Sequence, residues 1–205
     1  MSDQRHGTAR HPSPARRSIR PRRLTTVEVA LAQTVFGDDV DWLDAVRVVG
    51  VIGVNGRAFT LPGLGGRVYL GLGQHASAPA AASTRGYPSP GQLLIHELVH
   101  AWQVREMGAV RYLRAGVAAQ YRHARGADVY SVHDASMPWT AMTIEQQATV
   151  VDRWFGGQSS PAVRPRDPRS PFRHHLETFR VRSPVRPRPA TDDRSARCRA
   201  SDDHA

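Results

Sequence analysis

At 205 residues with a single cysteine, the chain has room for one ordinary domain plus tails and excludes a disulfide framework or a thiolate zinc site. No apolar run approaches the roughly 18 residues of a membrane-spanning helix, so no membrane insertion is expected. The net charge of +10 lies at the ends. Residues 1–23 carry seven Arg against one acid, residues 158–205 eleven Arg against six acids, and residues 24–157 ten Arg against eleven acids. A core so balanced lacks a basic binding face, which makes nucleic acid an unlikely partner.

Residues 1–23 contain Pro12, Pro14 and Pro21 and almost no large apolar side chain. They read as a disordered basic tail. No apolar segment follows the charges after Met1, so no secretory signal is expected and the location is cytoplasmic unless a non-classical route exports the chain. A helix begins at Leu24-Thr25-Thr26, with Thr25 or Thr26 as cap, Val27, Leu31 and Val35 as its apolar stripe and Gly37 as its stop. Asp38, Asp39, Asp41 and Asp44 lack the register of a calcium loop and read as turn and cap residues. Val46–Val54 is rich in β-branched residues, Asn55-Gly56 is a two-residue hairpin signal, and Arg57–Leu61 is the expected return strand. Arg67–Gly71 reads as a further strand, and Gln74–Ser89 as a loop.

The next stretch carries the chemistry. Ser89 is the expected N-cap and Pro90 the first position of a helix over Gln92–Met107, closed by Gly108. Within it, His96-Glu97-Leu98-Val99-His100 places two imidazoles one turn apart on one face, so both can meet one zinc ion. Glu97 sits beside them as a candidate general base. A second helix is expected over Ala109–Tyr121, packed through Val110, Leu113, Val117 and Ala118. An irregular stretch follows with His123, Asp128, Tyr130, His133 and Asp134. The last strong helix runs Thr143–Phe155, with Ile144, Ala148, Val151 and Phe155 on one stripe and Gly156-Gly157 as its end. Residues 158–205 hold seven prolines and read as a disordered tail in which Phe172–Phe179 docks only weakly.

A catalytic zinc takes three protein ligands and keeps one position open. The pattern in which a Gly and a third His follow the motif is absent, since those positions hold Gln103 and Glu106. A carboxylate from the later helix fits instead, and Glu145 lies near its start, with small Ala148 one turn on. His123, Asp128, His133 and Asp134 are its rivals. Gln103 lies two turns from His96 and can steady a ligand from behind. Tyr130, His133 and Tyr121 are candidates by type for a donor to the oxyanion.

Leu93–Gln103 together with Ile144-Glu145-Gln146-Gln147-Ala148 resembles a gluzincin-type metallopeptidase pattern. It is more closely similar to the bacterial DUF4157 family of metallopeptidase-type domains, often found near contractile injection systems. The resemblance extends to Leu24–Trp42 and Gly66–Gly71. It implies an α+β, zincin-like fold over residues 24–157, a small sheet followed by the active-site helix and a later ligand-bearing helix. It implies Zn2+ on His96, His100 and Glu145, and Glu97 as base in the hydrolysis of a peptide or protein substrate. The alternative is a catalytically silent zinc-binding module of structural or interaction type, associated with a secretion or injection system.

Overall fold

A capping box starts the first helix in the computed structural model of the chain, which describes residues 20–132, 134–157 and 165–181. Most of the two expected tails (residues 1–19, 158–164 and 182–205), and His133, lie outside the described residues. The Glu28 N–H donates to Thr25 Oγ1 at 3.3 Å and the Thr25 N–H to Glu28 Oε2 at 2.8 Å, which begins α1 (Thr26–Phe36). That box turns Glu28 inward, so Ala32, Val35 and Phe36 form the buried face while Val27, expected in the stripe, stands exposed. Arg22 is the reason Glu28 can be buried. Its guanidinium meets both carboxylate oxygens at 2.7 and 2.8 Å and also donates to the Ala76 carbonyl. Its backbone pairs with Val48 in both directions. The fold therefore begins before residue 24, inside the segment expected to be tail.

Three short strands follow: β1 (Val46–Val49), β2 (Phe59–Pro62) and β3 (Val68–Gly71). Their order is β1-β3-β2, with β1 parallel to β3 and β2 antiparallel to it. The hairpin expected across Asn55-Gly56 does not form. Val54–Gly56 is a single tight turn closed by Gly53 N–H to Arg57 O at 2.8 Å, and the chain there leaves the sheet. The hairpin is instead β2–β3, turning through Leu64–Gly66, where Gly65 and Gly66 have φ of 66° and 74°. Val46, Val48 and Leu70 are buried, so one sheet face is committed to the core.

Against the sheet lies α2 (Gln92–Met107), whose residues are buried on nearly every side. Leu94, Ile95, Leu98, Val99, Ala101 and Trp102 fill the main core with Val46 and Leu70. Ser89 does not cap it. Its hydroxyl donates to the Gly156 carbonyl, its N–H donates to Gln92 Oε1 at 2.9 Å, and Gly91 stands at the cap position. Gly108 joins α2 to α3 (Ala109–Ala124). Only Tyr112 and Ala119 of α3 are buried, whereas Val110, Leu113 and Val117, expected as its packing stripe, point outward. α4 (Ile144–Gly156) starts with a second capping box, Thr143 with Gln146, and buries Ile144, Ala148, Val151 and Phe155 as expected.

α5 (Arg173–Val181) packs against α1 and α4. Phe172 and Leu176 are buried, and His175 Nε2 lies 2.8 Å from the Ala135 carbonyl, so this part of the expected tail belongs to the fold. The architecture is mixed α+β: five helices and one small three-stranded sheet among the described residues. No helix among them is long and apolar enough to cross a membrane.

Candidate metal centre

α2 and α4 have the most extensive contact in the molecule, and the site sits between them. The i, i+4 spacing on α2 brings the His96 and His100 rings to 4.9 Å between centroids. Across the helix interface, Glu145 Oε2 lies 3.4 Å from His100 Nε2 and 3.7 Å from His96 Nε2. His96, His100 and Glu145 thus form a group that can hold a metal ion, with one donor atom from each within 4.8 Å of the others. Donors around a tetrahedral zinc stand about 3.3 Å apart, given bond lengths of about 2.0–2.1 Å.

The hydrogen bonds behind the rings decide which nitrogen is free. Gln103 Nε2 donates to the Ile144 carbonyl at 2.9 Å and to Gln147 Oε1 at 3.0 Å, so its Oε1 is the acceptor that faces His100 Nδ1 at 2.8 Å. Nδ1 must then carry a proton, and Nε2 is the nitrogen that faces Glu145 and is left for a metal ion or a second proton. On His96 the same role falls to Asp152, whose Oδ2 lies 2.7 Å from Nδ1 and also accepts from the Tyr87 hydroxyl at 3.0 Å. Gln103, which the sequence places two turns from His96, makes its hydrogen bond to His100.

Three buried carboxylates converge here: Glu97, Glu145 and Asp152. Asp152 Oδ1 has no hydrogen-bond partner among the described residues. So much buried negative charge is costly unless a cation or a protonated imidazole balances it. Burial works against a charged His96, yet Asp152 and Glu145 outweigh it and hold the imidazole well above its ordinary value. Burial would likewise raise the Glu145 carboxyl, but His100 and His96 keep it far below the usual carboxylate range. A divalent cation on Nε2, Nε2 and Oε2 would supply the same neutralisation, so the donor set fits a metal ion.

Glu97 is anchored from the sheet: Thr60 Oγ1, on β2, lies 2.7 Å from Glu97 Oε2. The group opens into a cleft of about 1190 Å³ that is lined by Ile52, Val54, Arg57 and Phe59 and by Leu113, Val117 and Tyr121 of α3. Tyr112 closes the site beneath, its ring 6.1 Å from that of His100 and its hydroxyl donating to the Thr60 carbonyl at 3.3 Å. Tyr130 lines the cleft and accepts from Arg57 at 2.8 Å; burial and the charge of Glu145 raise its phenol, which therefore keeps its proton. Tyr121 also lines the cleft but is engaged by Arg125 at 2.6 Å.

The rivals of Glu145 are elsewhere. Asp128 accepts from the Tyr130 and Ser131 N–H groups, Asp134 from Ser136, and His123 packs on Tyr130. His133 falls outside the described residues. Asp152, Thr60 and Tyr112 were not anticipated. Asp152 had a signal, since it lies seven positions, two helical turns, after Glu145 on the same α4 face. Thr60 had none. Compared with protein-family models, curated proteins and solved structures, the chain finds no match in any of the three.

Proposed function

We propose that the protein is a zinc-dependent peptidase of zincin type, with His96, His100 and Glu145 as ligands and Glu97 as general base. The observation that supports this best is the position of Glu97. It is a buried carboxylate, steadied by Thr60, next in sequence to one ligand and facing the same open cleft. A purely structural zinc site is closed and needs no base beside it.

Zinc held there would acidify a water and act as a Lewis acid toward the substrate carbonyl. Glu97 takes the proton of the attacking water and delivers it to the departing amine. Asp152 and Gln103 keep both imidazoles aimed while the charge moves. Tyr130 and Tyr121 line the cleft, each accepting from an arginine and keeping a hydroxyl hydrogen to donate to the oxyanion.

The test is peptide hydrolysis and zinc content measured together on the wild type and on Glu97→Gln. Both should hold zinc, and only the wild type should hydrolyse peptides. Zinc in both with hydrolysis in neither leaves the silent binding module as the reading; hydrolysis by Glu97→Gln removes the base assignment.

A further inference from the structure

α3 is an amphipathic helix turned the wrong way for packing. Val110, Leu113, Val117 and Tyr121 recur at helical spacing, yet they are 70, 43, 70 and 60 % exposed. Leu113, Val117 and Tyr121 line the cleft, as does Val54, which is 85 % exposed. The cleft therefore combines the His96, Glu97, His100, Glu145 and Asp152 cluster with exposed apolar side chains. Apolar surface left in water beside a polar site is the usual signature of a ligand that covers it.

Between Leu113 and Val117 sits Gly116, in the middle of α3. A helical glycine costs about 1 kcal/mol relative to alanine and needs a reason. Its backbone does not require it, because its φ is not positive. Packing does not require it either: an added Cβ would meet only Ile144 Cδ1, at 4.0 Å. The contrast is Gly156 in α4, where a Cβ would fall 2.3 Å from Gln92 Cδ. What the missing side chain at Gly116 leaves is space beside Ile144 in the cleft that Glu145 also lines.

Resting on the peptidase reading above, we propose that Leu113, Gly116, Val117 and Ile144 form the pocket that selects a bulky apolar side chain of the peptide substrate. Charge argues against a second copy of the chain as the occupant. α3 carries Arg111, Arg114 and Arg122 and no acid, so two copies apposed through this face would bring like charges together. The cleft, at about 1190 Å³, exceeds what a single small ligand fills and suits several residues of an extended chain.

The experiment uses full-length, zinc-loaded protein and two short peptide hydroxamates that differ only in carrying Leu or Gly at the residue beside the hydroxamate. Wild type should bind the Leu probe at least about tenfold more tightly. Gly116→Leu should erase that preference while leaving zinc content unchanged. Val117→Ser, at an exposed position outside the core, should reduce the preference severalfold. Equal binding of the probes by wild type, a preference that survives Gly116→Leu, or no binding of either probe overturns the pocket. So does a concentration-dependent dimer, seen by sedimentation, that Val117→Ser disperses, because a second copy then covers the face. Hydrolysis is read separately: a Leu preference in binding without cleavage of any peptide sinks the peptidase reading and leaves an apolar-peptide pocket.

Discussion

Asp152 carries more of the site than its absence from the motif implies. It receives both His96 and Tyr87, and its second oxygen has no partner among the described residues. Its removal frees the His96 ring to rotate and leaves Tyr87 without its acceptor. Asp152→Ala is therefore expected to weaken zinc binding about 10- to 100-fold, as loss of such supporting partners does. Competition with a chromogenic chelator measures it, and an unchanged affinity would show that His96 is positioned by packing alone. His96, Glu97 and His100 were legible because helical periodicity converts spacing directly into shared direction. Thr60 was not legible, because its meeting with Glu97 depends on β2 lying across α2, a contact 37 positions apart in the chain.

At the scale of elements, capping chemistry and apolar stripes read well where a helix is packed, and fail where something else claims its face. α4 behaved as its stripe implied. α1 rotated because Glu28 was drawn inward by Arg22, and α3 turned its apolar stripe to the cleft. The Asn55-Gly56 signal was overruled because β3 pairs with both other strands and separates β1 from β2. The Arg22–Glu28 pair gives a stability test. Burial alone would raise the Glu28 carboxyl, but Arg22 and the Thr25 N–H outweigh it and hold it below 4.5. A carboxyl whose folded value is depressed contributes fully above its unfolded value, and that contribution fades as pH falls through the folded value. Arg22→Ala should thus cost about 2 kcal/mol at neutral pH, since it leaves a buried carboxylate unpaired. The deficit should shrink in acid, once Glu28 is protonated. Urea unfolding at both pH values checks this; a deficit as large in acid as at neutrality would place the effect in the Arg22–Val48 backbone pairing instead.

For the whole molecule, the two helices that carry His96, His100 and Glu145 are also those with the most extensive mutual contact among the described residues. Metal binding and folding are then coupled, and a ligand that binds only the folded chain stabilises it by mass action. With zinc at about a thousandfold above its dissociation constant, the folded state gains about 4 kcal/mol. Stripping the metal with a chelator should lower the melting temperature by about 10 °C or more, and restoring zinc should return it. A melting curve indifferent to chelator would separate the site from the fold. The charge distribution, basic at the ends and nearly neutral between, was readable from composition alone. The extent of α5's docking was not: Phe172–Phe179 was expected to dock only weakly, yet Phe172 and Leu176 are buried.

If one zinc ion is held by His96, His100 and Glu145, bound metal per chain, measured by elemental analysis on the wild type and on Glu145→Ala, will show it. About one zinc per chain in the wild type, with clear loss in a still-folded Glu145→Ala, is the expected result. A folded wild type without metal, or a variant that retains zinc as tightly as the wild type, would contradict the account.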